Sequence, residues 1–356
     1  MTQNADDFRD SFADDSDARR SRTDRPMSLR EIGESLNDDI YHGTPPVEYA
    51  VSTDPWGSMA FRPGEIMCVA APPGMGKTAF IMQTTLDALR LNPDVRCMIV
   101  NVEMSRRNLY ERQLSRLSGV PLADITRRRD MLGRQYQLNR AIATMHSVGD
   151  RMFFMPGPFH INRISDAMVR DVRPDILVID YLQRIECCEG VADTRSRVNL
   201  LMNKFRTIAE AGVCVVLVSA VGRPSAKRKG GYNSKELGLA SLRESGEIEY
   251  GCDDVYLMGA ENEDAPRKGD GRRNVVLKHE KSRNHSQQDL RFEFDGAIQR
   301  FSLLPTLDDL YEQGEDDGDG PQTARATVVT PQPPVPPTLL LPGDRFAADC
   351  LQDGNE

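Results

Sequence analysis

None of the seven cysteines forms a C-x-x-C pair, although Cys187 and Cys188 are adjacent. That spacing excludes a zinc ribbon or a disulfide framework and reads as reduced thiols in a cytoplasmic protein. No apolar run approaches the roughly 20 residues that span a bilayer, so no membrane role is expected. The amino-terminal stretch, with Asp6, Asp7, Asp14 and Asp15, lacks the pattern of a secretory leader. Internal repeats are absent. The body also lacks net charge: residues 303–356 hold 11 acids and two bases, and the resulting −9 equals the net charge of the whole chain. A nucleic-acid footprint must therefore be local rather than global.

What is present is a strand, a glycine loop and a helix in direct succession. Ile66 to Ala70 is a short apolar run that reads as a buried strand. The turn Ala71-Pro72-Pro73-Gly74-Met75-Gly76 follows, and Lys77-Thr78-Ala79 opens a segment with Ile81, Thr85 and Leu89 on one helical face. Such a junction cradles phosphate: loop N–H groups turn inward and the helix start adds its positive dipole end. Lys77 would reach the β- and γ-phosphates of ATP, and the Thr78 hydroxyl would ligate Mg2+. Gly76 is read as glycine because a side chain there would hold the backbone off the phosphate. The P-loop pattern is not strict, since Ala71 stands at its first glycine, and an ordinary Pro/Gly turn is the plain alternative.

Around this anchor the chain alternates strand and helix patterns. Residues 1–27 are polar and are expected to be disordered. Ser28-Leu29-Arg30-Glu31 fits a capping box, and Leu29, Ile32, Leu36 and Ile40 follow at helical spacing, giving a linker helix over 28–41. It either packs on its own domain or reaches a neighbouring subunit. Strands are predicted at Cys97–Val102, Met152–Met155, Ile176–Asp180 and Val213–Val218, the last ending at Ser219. A helical region runs from Arg106 to Ser147 with breaks near Gly119-Val120-Pro121 and Gly133. Further helix faces are marked by Ile161, Ile164, Met168 and Val172, and by Val198, Leu201, Met202, Phe205 and Ile208. This alternation predicts an α/β domain over 42–303 with a mostly parallel central sheet flanked by helices. Residues 274–279 and 290–303 read as β-structure closing one edge. Beyond Leu304, apart from a helical turn at Thr306–Tyr311, the acidic and proline-rich composition of 304–356 predicts a disordered tail.

Phosphoryl transfer also needs a metal ligand, an oriented water and a cation opposite the departing charge. Asp180, at the carboxyl end of a buried strand, points into the crevice where α/β sheets bind ligands and would hold the magnesium. Glu103 ends a second strand at the same edge, where it is either a water-polarising carboxylate or an acid near a helix start.

Five motifs in order then resemble the motor domain of the bacterial replicative hexameric DNA helicases of the DnaB type, over residues 28–303. They are the cradle Ala71–Ala79, Asn101-Val102-Glu103-Met104-Ser105, Val178-Ile179-Asp180-Tyr181-Leu182-Gln183, Leu242-Arg243-Glu244-Ser245-Gly246-Glu247-Ile248-Glu249 and Lys281-Ser282-Arg283-Asn284. The resemblance implies a RecA-like P-loop fold, a homo-oligomeric ring of about six subunits and ATP bound between subunits. It makes Glu103 the catalytic carboxylate and assigns Arg283, with Lys281, to the active site of the adjacent subunit. Without it, Lys278, Lys281 and Arg283 read as a solvated basic strand end. It also implies that Arg243, Glu244 and Gly246 serve single-stranded DNA, with Arg243 on a phosphate and Glu244 orienting Arg243. The loop from Arg223 to Lys235, carrying Arg223, Lys227, Arg228 and Lys229 with Tyr232, suits backbone tracking without sequence readout, or else is a merely solubilising loop.

Two departures stand out. Ala220 occupies the position where this family usually has a polar sensor, and alanine cannot hydrogen-bond a γ-phosphate. Only 27 residues precede the linker helix, so primase recruitment through a helical collar does not carry over, although replication or loader proteins remain expected partners. The sequence thus reads as a DNA-stimulated ATP hydrolase and ring helicase. Its rivals are a RecA-like DNA-binding ATPase without unwinding activity and an ATP-binding scaffold.

Overall fold

The computed structural model describes residues 26–53, 56, 59–187, 194–221, 246–261 and 271–305. The expected disorder of residues 1–25 and 306–356, and the helical turn at Thr306–Tyr311, lie outside them.

The chain begins with α1 (Leu29–His42), capped as its sequence predicts: the Ser28 hydroxyl accepts from the Glu31 N–H at 3.2 Å, and the Glu31 carboxylate accepts from the Ser28 N–H at 2.7 Å. A two-stranded ribbon, β1 (Tyr49–Ala50) and β2 (Ala60–Phe61), leads to β3 (Ile66–Ala71), α2 (Lys77–Leu91) and β4 (Cys97–Asn101). The predicted breaks at Gly119 and Gly133 divide α3 (Arg106–Ser118), α4 (Leu122–Arg127) and α5 (Gln135–His146). Then come β5 (Met152–Phe154), α6 (Ile161–Ala167) with a wider turn over Met168–Val172, β6 (Ile176–Asp180), α7 (Thr194–Glu210) and β7 (Cys214–Ala220). The last elements are α8 (Gly246–Gly251), β8 (Asp254–Ala260), β9 (Arg272–Ser282), β10 (Leu290–Asp295) and β11 (Arg300–Leu303).

Among the described residues, one sheet has the order β11-β10-β9-β8-β3-β7-β6-β4-β5. From β8 to β5 the neighbours run parallel; the β-structure expected to close one edge is β9, β10 and β11, which pair antiparallel. Strand β8 lies outside the predicted elements. Its signal is present in Val255-Tyr256-Leu257-Met258, an apolar run between Gly251 and Gly259 that is buried at every position, as a parallel strand covered on both faces requires.

Strand residues alternate between two cores. Met67, Val69 and Ala71 face α2 and Leu109, whereas Ile66, Cys68 and Ala70 face α6 and α7. The predicted stripe Val198, Leu201, Met202, Phe205 and Ile208 is buried in the second core. Helix α2 is covered on more sides than its predicted single face, because Phe80 packs edge-on to Phe292 and Phe301 of the antiparallel strands. The Gln83 carboxamide clamps the same contact, donating to the Phe301 carbonyl at 2.8 Å and accepting its N–H at 2.9 Å.

Candidate nucleotide-binding site

Strand β3 delivers the loop and α2 starts at Lys77 with Gly76 as its N-cap. Gly76 has φ +97°, and no side chain caps the helix. The first amides of α2 have no intrahelical carbonyl, which makes the junction an anion site. The structure adds a reason for glycine beside the one the sequence suggested. A Cβ at Gly76 would stand 3.0 Å from Phe301 and 3.3 Å from Phe294, so the constraint comes from the aromatic layer behind the loop and from the left-handed backbone.

Lys77 bends over the loop and donates to the Ala71 carbonyl at 2.8 Å and the Pro72 carbonyl at 3.2 Å. Burial lowers its pKa, and the nearby carboxylates of Asp180 and Glu103 oppose that shift. The Thr78 hydroxyl donates to the Asp180 carboxylate at 2.7 Å, although the two lie on different elements. Burial raises the Asp180 pKa and the negative Glu103 adds to the rise, while the bonds from Thr78 and Asn101 work against it.

Asn101 is the member the sequence reading left without a role. It pairs in register with Asp180, and its Nδ2 donates to the Asp180 carboxylate at 2.6 Å. Its Oδ1 accepts the N–H groups of Glu103 at 3.1 Å and Met104 at 2.7 Å. One buried carboxamide therefore fixes the Asp180 carboxylate and the turn that presents the exposed Glu103. A polar residue at the end of an apolar strand was the available signal. Arg273 was also missed: its guanidinium donates to the Gly74 carbonyl and lies 5.2 Å from the Phe294 ring centroid.

Open helix-start amides, an ammonium and a touching hydroxyl–carboxylate pair fit a nucleotide phosphate and a hard divalent cation. Comparison with known proteins decides which family uses this arrangement. The family model described as "DnaB-like helicase C terminal domain" matches residues 58–303. The chain belongs to the DnaB-like helicase family. It is 25% identical over 272 residues to the replicative DNA helicase DnaB of Mycoplasma genitalium, covering 70% of this chain and 55% of that protein. It is 26% identical over 275 residues to a probable plasmid replicative DNA helicase of Chlamydia muridarum, covering 75% of this chain and 56% of that protein. The chain thus spans about half the length of these curated relatives. The fold matches a solved structure described as an ATPase domain with a TM-score of 0.63 at 19% identity, over 79% of this chain and all of that one. A DnaB-like replicative helicase studied with primase gives 0.64 at 19% identity, over 77% of this chain and 68% of that one.

In this DnaB-like helicase chain, Lys77, Thr78, Glu103 and Asp180 meet at the carboxyl edge of the sheet. Lys281 and Arg283 do not join them. The Arg283 N–H donates to the Asp253 carbonyl at 3.0 Å, and the Asp253 N–H donates to the Ile66 carbonyl at 2.8 Å, which puts Arg283 at the amino end of β3. The length of β3 separates the two ends, roughly 20 Å at 3.3 Å per residue. The Lys281 ammonium donates to the carbonyls of Glu249 and Cys252, at 2.5 and 2.8 Å, and burial lowers its pKa.

Of the DNA-contact candidates, Arg223, Lys227, Arg228, Lys229, Arg243 and Glu244 lie outside the described residues, and Gly246 opens α8. Ala220 is exposed at the tip of β7, one residue beyond the expected strand end. Beside it, the Gln183 carboxamide donates to the Ser219 hydroxyl at 2.8 Å, so an amide does stand at this tip. No described helix is long and apolar enough to cross a membrane.

Proposed function

We propose that the chain is the ATP-hydrolysing motor of a ring helicase that translocates on single-stranded DNA and unwinds duplex. The observation that carries this reading is the division of one phosphoryl-transfer site between opposite edges of one sheet. The carboxyl edge holds cradle, metal ligands and general base, whereas the basic pair Lys281 and Arg283 lies at the amino edge. Such a site works only when the amino edge of one subunit faces the carboxyl edge of the next, as heterologous contacts in a closed ring arrange.

Residues 71–79 hold the triphosphate, with Lys77 on the β- and γ-oxygens. Thr78 and Asp180 hold Mg2+, which supplies charge neutralisation when bound. Glu103 orients a water against the γ-phosphorus and takes its proton as the new P–O bond forms and the bond to the ADP oxygen breaks. Arg283 of the neighbouring subunit meets the charge that spreads over the transferring group, with Lys281 beside it.

Residues 42–303 form the ATPase domain. Helix α1 is the linker that reaches a neighbour: Leu29 is 85% exposed, Leu36 47% and Ile40 73%, an apolar face unusual for a surface left in water. Arg223, Lys227, Arg228, Lys229, Arg243, Glu244 and Gly246 track the DNA backbone in a ring of about six subunits, acting in the cytoplasm with replication or loader proteins. The test is the ATPase rate with and without single-stranded DNA, on a sample whose mass is measured, followed by strand displacement. A monomer that hydrolyses ATP at the same rate with and without DNA would overturn the reading.

A further inference from the structure

Arg283 is not simply an exposed side chain on a strand end. Its Nη1 donates to the Asp253 carboxylate at 2.9 Å and its Nη2 to the Tyr250 carbonyl, leaving the side chain 45% exposed. Asp253 is buried, and its carboxylate is fixed from two other directions. The N–H of Ile66, the first residue of β3, donates to Oδ2 at 2.8 Å, and Arg206 of α7 donates at 3.1 and 3.3 Å. The strand that bears the arginine is gripped a second time. Lys281 donates to the Glu249 carbonyl in the last turn of α8 and to the Cys252 carbonyl just beyond it. Asp253 thus joins three things: the root of the strand that ends in the phosphate cradle, the helix on the second face of the sheet, and the arginine.

We infer that Asp253 is the positioning residue that aims Arg283 at the nucleotide of the next subunit, taking its reference from the start of β3. The inference rests on the proposed trans role of Arg283. A long, flexible side chain that must meet charge across a subunit boundary gains rate from being held before the boundary forms. The Asp253 carboxylate and the Tyr250 carbonyl supply that hold together, because two acceptors on two of its nitrogens fix the plane of the guanidinium as well as its place. Lys281 serves the same end by tying β9 to the carboxyl end of α8.

The experiment uses the assembled full-length chain. Asp253→Asn keeps an acceptor for the Ile66 N–H and removes the charge that holds Arg283. It should lower kcat about 10²-fold, the scale of a 1 Å misplacement, with KM for ATP within twofold of the parent. Mixed with Glu103→Gln subunits, it should regain ATPase activity, because some interfaces then pair an intact Glu103 with an intact Asp253–Arg283 unit. Mixed with Arg283→Ala subunits it should regain none, since both defects lie on the same side of the interface. Arg206→Ala, which removes the ties from α7 to Asp253 and to the Gly251 carbonyl and leaves the Asp253–Arg283 contact, should hydrolyse ATP like the parent. If the single substitution does not assemble, Asp253→Asn/Arg206→Met removes the buried carboxylate together with the half-buried cation paired to it, and carries the same mixing test.

A parent-like kcat for Asp253→Asn overturns the inference. So does a faster one, which would make the contact a restraint. Loss of activity in Arg206→Ala equal to that in Asp253→Asn would show a brace between helix and sheet instead. Failure to complement Glu103→Gln where Arg283→Ala succeeds would also end it. If Arg283→Ala itself keeps the parent rate, the trans arginine is wrong and both readings fall together.

Discussion

The two edges of the sheet solve different problems. At the carboxyl edge, the reactive groups are held by neighbours in the same site: Thr78 and Asn101 both donate to Asp180, and Lys77 folds onto its own loop. At the amino edge, Arg283 is held by α8 and by the turn before β8, whose Asp253 is itself tied to the start of β3, and its outward side is open. The first edge is built to receive a ligand. The second leaves a cation on its outward side, where under the proposed ring it would complete a neighbour's site.

Substitution at each edge should separate these roles, with the largest effects first. Lys77→Ala should abolish hydrolysis and weaken nucleotide binding together. Arg283→Ala should lower turnover by about 10³–10⁵-fold and leave nucleotide affinity intact. Fluorescent-nucleotide titration beside steady-state ATPase measures both, and equal losses of affinity would erase the distinction between the edges. Glu103→Gln should bind ATP without turnover, and its mixed rings with Arg283→Ala should regain activity.

Smaller effects test how the carboxyl edge is held. Asn101→Ala leaves Asp180 with one fewer donor and frees the Glu103 turn. It should destabilise the fold by about 1–3 kcal/mol and reduce turnover, read by chemical denaturation and ATPase assay. Gly76→Ala must place a Cβ against Phe301 at positive φ. A cost of about 1–3 kcal/mol is expected, visible as a lower melting temperature. An unchanged melting temperature would show that the aromatic layer yields.

The subtlest difference is in pH. Burial raises the Asp180 pKa above its ordinary value, so the folded chain binds more protons than the unfolded one between that value and the raised one. Stability of the metal-free protein therefore falls as pH rises through this window. Asp180→Asn should be the more stable chain at neutral pH. The difference should shrink as pH falls and vanish below the ordinary aspartate value, about 3.9. Thermal melts in chelator across pH measure this, and a gap that widens in acid would reverse the assignment.

The carboxyl edge was legible because its parts are local. A P-loop occupies nine consecutive residues, and the acids at 103 and 180 close apolar runs that announce buried strands. That β-structure closes one edge showed in the strand patterns near 274–279 and 290–303, but its antiparallel sense did not. Asn101 stayed silent because its role comes from register with β6, a pairing across 79 residues. Asp253 stayed silent for the same reason, since its partners lie at 66, 206 and 283.

Composition and periodicity by themselves determined that this chain builds a mostly parallel α/β sheet with a phosphate cradle, because strand burial and helix faces repeat at fixed spacing along the backbone. The order of the strands was decided only in three dimensions. Placing β8 between β3 and β9 sends the carboxyl end of β9 to the edge opposite the cradle. That placement depends on which buried faces and hydrogen-bonding edges fit together, and no local run of residues encodes it.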